Sequence, residues 1–245
     1  EVVVFLGLIL LWRLAMGGRG RGWFLLGLSV LAVFWLQPVT ALRGMDTWLP
    51  LAGLGLAVIS WAVTADPAER RWREQAPTLA LVIGLALGLG LLRYLNLPDW
   101  LGAHRPPPLG QIAVGIALIG LLALLAARLP RRFALGGLLA LLLGLFIFLK
   151  YPPLSELLSA GLRLLTEQPT RLASALDIRW LGFSYAAFRL IHTIRDRQAG
   201  RLHGVSLQEY LVYILFFPSY TAGPIDRLER FVKDLRAPLD SLGAD

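Results

Sequence analysis

Cysteine is absent from this chain of 245 residues, methionine occurs twice and histidine three times. The lack of cysteine excludes a disulfide framework, a cysteine-ligated zinc or iron–sulfur site and catalysis by a thiol nucleophile. Charge is scarce as well, with 16 % charged residues against 56 % hydrophobic ones. The polar helices needed to wrap a large oily interior are therefore missing, and a soluble fold is excluded. Mean hydropathy is +0.63.

What is present is a repeated block of nearly uncharged residues separated by short loops. Val2–Met16, Gly22–Leu36, Trp48–Ala65, Thr78–Leu92, Leu109–Ala127 and Phe133–Leu149 are each long enough to cross, or nearly cross, a hydrocarbon core about 30 Å thick. Glycine (25) and proline (15) are both tolerated in such helices. Tryptophans at span ends (Trp12, Trp23, Trp48, Trp61, Trp100, Trp180) fit an interfacial belt or ordinary packing equally. Val2–Met16 leads into Arg19, Arg21 and another apolar run without a cleavage-like sequence, so it reads as a first span. The chain starts at Glu1, and a few preceding residues are expected.

The net charge of +8 is placed by topology and not by nucleic acid. Alternate loops hold Arg19 and Arg21, then Arg70, Arg71 and Arg73, then Arg128, Arg131 and Arg132; the others hold only Arg43, Arg105 and Lys150. The positive-inside rule then puts the arginine-rich loops in the cytoplasm and the amino terminus outside. No aromatic-and-basic groove accompanies the charge, so nucleic acid is not an expected partner. Membrane lipids are.

After Tyr151 the alternation ends, with Pro152–Pro153 closing the sixth helix. Leu154, Leu157, Leu158, Leu162 and Leu165 share one side of the next segment, with Glu156, Arg163 and Glu167 elsewhere. That pattern predicts an amphipathic helix on the membrane surface or a short helix packed on the protein's outer face. From Arg179 to Thr193 a less oily segment carries Tyr185, Arg189, His192 and Asp196 in one stripe at helical spacing. A charge such as Arg189 at membrane depth must be paired or turned to a cavity, so this stripe is the candidate cavity lining. The alternative is that Arg189 snorkels and His192 packs near the interface.

Ser206 and Glu209 then form a capping-box pattern. The apolar run Tyr210–Tyr220 is broken by Pro218 and followed by Gly223, Pro224, Asp226 and Arg227. Irregular backbone at depth must be buried in protein or line a cavity, which makes this turn a candidate site; the plain alternative is a helix end at the surface. Arg230, Lys233 and Arg236 form a basic tail suited to anionic head groups or a partner, or simply to water.

The expected fold is all-α: a polytopic membrane protein with about seven or eight membrane-inserted helices, one surface amphipathic helix and a re-entrant segment. Residues 1–150 form a six-helix bundle, 151–178 the amphipathic helix and loop, and 179–245 the motif region.

Leu181–Arg197 (LGFSYAAFRLIHTIRDR), followed by FFPSYTAGPIDRLERF within Tyr210–Phe231, resembles the membrane-bound O-acyltransferase family. The resemblance is strongest to its bacterial branch that D-alanylates teichoic acids, with the alginate O-acetyltransferases more distant. It covers roughly the last seventy residues. It implies a funnel-shaped protein of the bacterial inner membrane, passing an activated acyl or D-alanyl group to a hydroxyl of an extracytoplasmic polymer. An acyl carrier protein or other thioester donor would then serve at the cytoplasmic side. The family's catalytic histidine lies in a later helix, and none of His104, His192 and His203 sits in a matching motif, so no catalytic residue is assigned. The chain accordingly reads as the amino-terminal part of such a protein. Its rival is a non-catalytic subunit of the same descent, packed against other integral membrane subunits. A coupled transporter is disfavoured by the lack of an inverted repeat. No cofactor is expected, and His192 with Asp196 gives too few ligands for a metal.

Overall fold

The computed structural model describes residues 20–66, 70–95, 106–202, 204–221, 223 and 226–237. These fold into α1 (Arg21–Trp35), α2 (Met45–Thr64), α3 (Trp72–Leu91), α4 (Leu109–Arg128), α5 (Arg131–Lys150), α6 (Pro152–Leu165), α7 (Phe183–Gln198), α8 (Leu207–Leu215) and α9 (Leu228–Arg236), joined by short 3-10 turns. The architecture is all-α.

The expected count of seven or eight inserted helices is corrected. Among the described residues four helices are long and apolar enough to cross a membrane: α2, α3 with the turn to Tyr94, α4 and α5; α1 is apolar but shorter, at 15 residues. α7 is 16 residues long and carries Arg189, Arg195, Asp196 and Arg197, and α8 has only nine residues, about 13 Å of helix. Neither has the length and oiliness of a span. The expected first span, Val2–Met16, lies outside the described residues. The chain is a multi-pass membrane protein.

α2 is the hub, with 78 % of its apolar window buried, whereas α4 is 11 % buried and turns Leu118, Leu121 and Leu125 outward. In water such a face would be a liability; against lipid tails it costs nothing. α2 and α4 pack in parallel. A Cβ on Gly55 would come within 2.9 Å of Ile119, and one on Gly115 within 2.9 Å of Trp48, so small residues set this close approach.

The arginine-rich loops gather at one end. Arg131 pairs with Asp66 at 3.2 Å, Arg197 also pairs with Asp66, and Arg70 donates to the Ala127 carbonyl at 2.8 Å. At the other end Gln37 grips the backbone of Leu181 through both amide atoms, at 3.1 and 3.2 Å, and so fixes where α7 starts.

α6 does not lie simply with its leucines inward or its charges outward. Its packed side is Ser155, Ser159 and Arg163 together with Leu158 and Leu162, while Leu157, Leu164 and Leu165 are exposed. The reason is Asp177, buried in the following turn. Its Oδ2 accepts from Ser159 Oγ at 2.6 Å and Arg163 Nε at 2.8 Å. Burial pushes this carboxyl up, but the hydroxyl and guanidinium bonds outweigh it and hold it below the usual carboxylate range. A partner 14 residues away thus draws the arginine inward.

Candidate functional site

The stripe expected on α7 is divided by the fold. Arg189 is 2 % exposed, Tyr185 and Asp196 are half-buried, and His192 is exposed. The face that packs against the bundle is Ala186, Arg189, Leu190, Thr193 and Arg197. Thr193 is held by Tyr210, whose buried hydroxyl bonds Thr193 Oγ1 at 2.8 Å and Ser60 Oγ at 2.7 Å, tying α7, α8 and α2 together.

Arg189 closes the end of α8. One guanidinium nitrogen donates to the carbonyls of Tyr213 (3.0 Å) and Ile214 (3.1 Å), and the other to the Ser219 carbonyl (3.0 Å) and hydroxyl. The last carbonyls of any helix lack intrahelical donors and carry partial negative charge. A guanidinium satisfies several at once, because its donors lie in a fixed planar fork. Its carbon also lies 5.6 Å from the Tyr213 ring centre. The broken helix is thereby held from outside its own chain segment.

Beyond the break, Pro218 is exposed in the turn Phe217–Ser219, and Gly223 is half-buried. Gly223 is needed for space: a Cβ there would lie 2.6 Å from Ser219 Cβ. Pro224 lies outside the described residues. The carbonyl of Asp226 accepts from Tyr213 Oη at 2.7 Å, and its carboxylate takes the Arg227 backbone N–H at 2.8 Å. The chain then doubles back as α9, with Phe231 stacked edge-on to Tyr213 (5.5 Å) and Phe216 (5.1 Å).

The expected basic tail is therefore helical along much of its length. Arg230 and Lys233 are exposed, whereas Arg236 pairs with Glu209 at 2.6 Å and with the Gly204 carbonyl at 2.6 Å. Glu209 is the second half of the Ser206 capping box, so α9 ends where α8 begins.

Ser219, Tyr213, Tyr220 and Gly182 belong to this site without having been singled out by the sequence. Gly182 caps α7 with φ +75°, and a Cβ there would meet the Tyr220 ring at 2.2 Å. The glycine preceding the Phe-Ser-Tyr run was the available signal. Among the described residues no group of three or more His, Asp or Glu side chains is placed to hold a metal. His192 is the one described histidine, and its side chain is exposed, without a hydrogen bond to the Arg189 clamp among the described residues.

Comparison with known proteins finds relatives over part of the chain. The chain is 42 % identical over 55 residues to the teichoic acid D-alanyltransferase of Lacticaseibacillus rhamnosus, covering 22 % of this chain and 14 % of that protein. It is 36 % identical over 83 residues to that of Streptococcus thermophilus, covering 34 % and 20 %. It is a distant relative of these enzymes. With the Bacillus subtilis protein of the same description it shares 45 % identity over 58 residues, 23 % of this chain and 15 % of that one. The matched stretches thus span a fifth or less of the relatives' own length. No family model matches the chain. No solved structure matches it either.

Proposed function

We propose that this chain forms part of an O-acyltransferase-like protein of the bacterial inner membrane, with its amino terminus outside. In this reading an activated acyl or D-alanyl thioester is presented at the arginine-rich, cytoplasmic end. A hydroxyl of an extracytoplasmic polymer attacks the thioester carbonyl, a tetrahedral oxyanion forms, and the thiolate leaves. A base accepts the hydroxyl proton and returns it to the leaving sulfur. The base is not assigned to any described residue, because the resemblance places the family histidine in a later helix and His192 is exposed on α7.

This chain's own contribution is positional. Arg189 holds the end of α8, and the turn from Phe217 to Asp226 with Arg227 borders the route; Tyr185 and Asp196 flank it on α7. The observation that carries the reading is the relationship to the teichoic acid D-alanyltransferases combined with a buried arginine at a helix break. A pure scaffold has no need of four hydrogen bonds converging on one such turn.

The test is transfer by the full-length native protein in proteoliposomes. A labelled D-alanyl or acyl thioester is supplied on one side and a hydroxyl-bearing polymer on the other, with the Bacillus subtilis relative as positive control. Label in the polymer is the expected result. If the control transfers and this protein does not, while it co-purifies with other membrane subunits, the non-catalytic subunit is the correct reading.

A further inference from the structure

α2 and α3 are consecutive helices joined by a short loop, yet along most of their length they scarcely touch. Helices on so short a connection ordinarily pack against each other as antiparallel neighbours. Here the rings of Trp61 and Trp72 meet edge-on beside the loop, 5.7 Å apart. Past that contact α3 leans onto α1 and α4 instead. At its far end it closes on α4, where a Cβ on Gly90 would come within 2.7 Å of Ile112 Cδ1. Between these two closures α2, α3 and α4 leave a cleft of about 320 Å³.

The chemistry of the cleft decides what fills it. Every lining residue is apolar, with Leu54, Val58, Val82 and Ala123 along the walls and the Trp72 indole towards the arginine-rich end. A buried water needs two to four polar partners, and this lining supplies none. Another helix does not fit. The cleft follows Leu51–Val58 on α2 and Ile116–Leu124 on α4, some 10 to 12 Å of each. That length of a helix about 10 Å across occupies roughly three times the space. An empty void of this size is foreign to packed interiors. On its outer side the cleft opens towards the bilayer past Gly120 and Leu124, both exposed.

We infer that one acyl chain of a membrane phospholipid occupies this cleft. Phospholipid is the solvent at its mouth, because α2, α3 and α4 are all long and apolar enough to span. A methylene fills about the volume of a water, so the cleft takes a chain segment on the order of ten carbons. Spread over the length of its walls, that is the room of a single linear chain. The chain acts as a wedge, giving α2 and α3 the dispersion contacts that they do not give each other. The inference stands apart from the acyl-transfer reading, since no residue of α7, α8 or α9 lines the cleft.

The experiment uses the full-length protein in phosphatidylcholine nanodiscs doped with a phosphatidylcholine that carries a diazirine midway along one acyl chain. After illumination, mass spectrometry of peptides maps the residues labelled. Labelling of Leu54, Val82 and Ala123 is expected in the wild type; all three are buried, so only a chain inside the cleft reaches them. Lipid around the outside labels the exposed Leu118, Leu121 and Leu125 instead. Gly120→Phe places a ring at the mouth, where an added Cβ meets no atom within 4 Å, and is expected to lose the cleft labelling while keeping the outer labelling. Gly137→Phe, equally open on α5 and outside the cleft, is expected to leave both unchanged. Melting curves accompany each variant, and should Gly120→Phe melt early, the wild-type map alone decides. Labelling confined to the outer leucines overturns the inference. So does undiminished cleft labelling in a Gly120→Phe that melts normally, or an equal loss in Gly137→Phe, which would mark a general change in lipid contact.

Discussion

Asp177 and Arg163 show what a single buried pair does here. Both are almost fully buried, and Asp177 holds Arg163 and Ser159 at once. Removing one partner strands the other, which costs about 3–5 kcal/mol for buried pairs. Arg163→Ala should therefore lower the thermal midpoint of the purified protein sharply, and more than Arg171→Ala on the exposed turn. The pH dependence follows in sign. Against the upward push of burial, Ser159 and Arg163 hold the folded carboxyl of Asp177 below its unfolded, ordinary carboxylate value. Its stabilisation is therefore complete above that value and is lost as pH falls through the lower, folded one. An acid titration of unfolding in nanodiscs should show this loss in the wild type and lack it in Asp177→Asn. The leucine period of α6 was legible from the sequence, but which side is packed was not. That depended on a carboxylate in a later turn, which no helical spacing within α6 reveals.

At the level of elements, the long apolar helices α2 to α5 were readable because their oily runs are set by bilayer thickness. The overcount came from α7 and α8. There, aromatic and apolar residues serve packing inside the protein: Tyr210, Tyr213 and Leu211 are buried by neighbouring helices and not by lipid. The capping box at Ser206 and Glu209 forms as its residue spacing implies, since it needs only local backbone. The junction of α7 with the Phe217–Ser219 turn and Tyr220 depends on distant contact. Gly182→Ala should be among the most damaging small substitutions in the chain, because φ +75° and the Tyr220 ring both oppose a Cβ. Gly27→Ala, with open space around it inside α1, should be neutral or mildly stabilising. Paired melting curves of the two variants in the same detergent check this.

The whole molecule is an asymmetric bundle, arginine-rich at one end and joined there through Asp66. A chain without cysteine allows its orientation to be read directly. An impermeant maleimide should label Lys150→Cys in intact cells and Arg132→Cys only after permeabilisation; labelling of both from one side would refute the assigned topology. Arg189's burial could be anticipated from the cost of a bare charge in lipid, but its partners are three backbone carbonyls and a hydroxyl, groups that residue identity does not flag. The account's centre is that this guanidinium holds the broken helix to the bundle. Amide hydrogen exchange of the full-length protein in nanodiscs tests it, comparing wild type, Arg189→Lys and Arg189→Ala over residues 207–221. Protection should fall in that stretch for the alanine variant and partly for lysine, with α4 and α5 unchanged. Wild-type protection in Arg189→Ala would contradict the account.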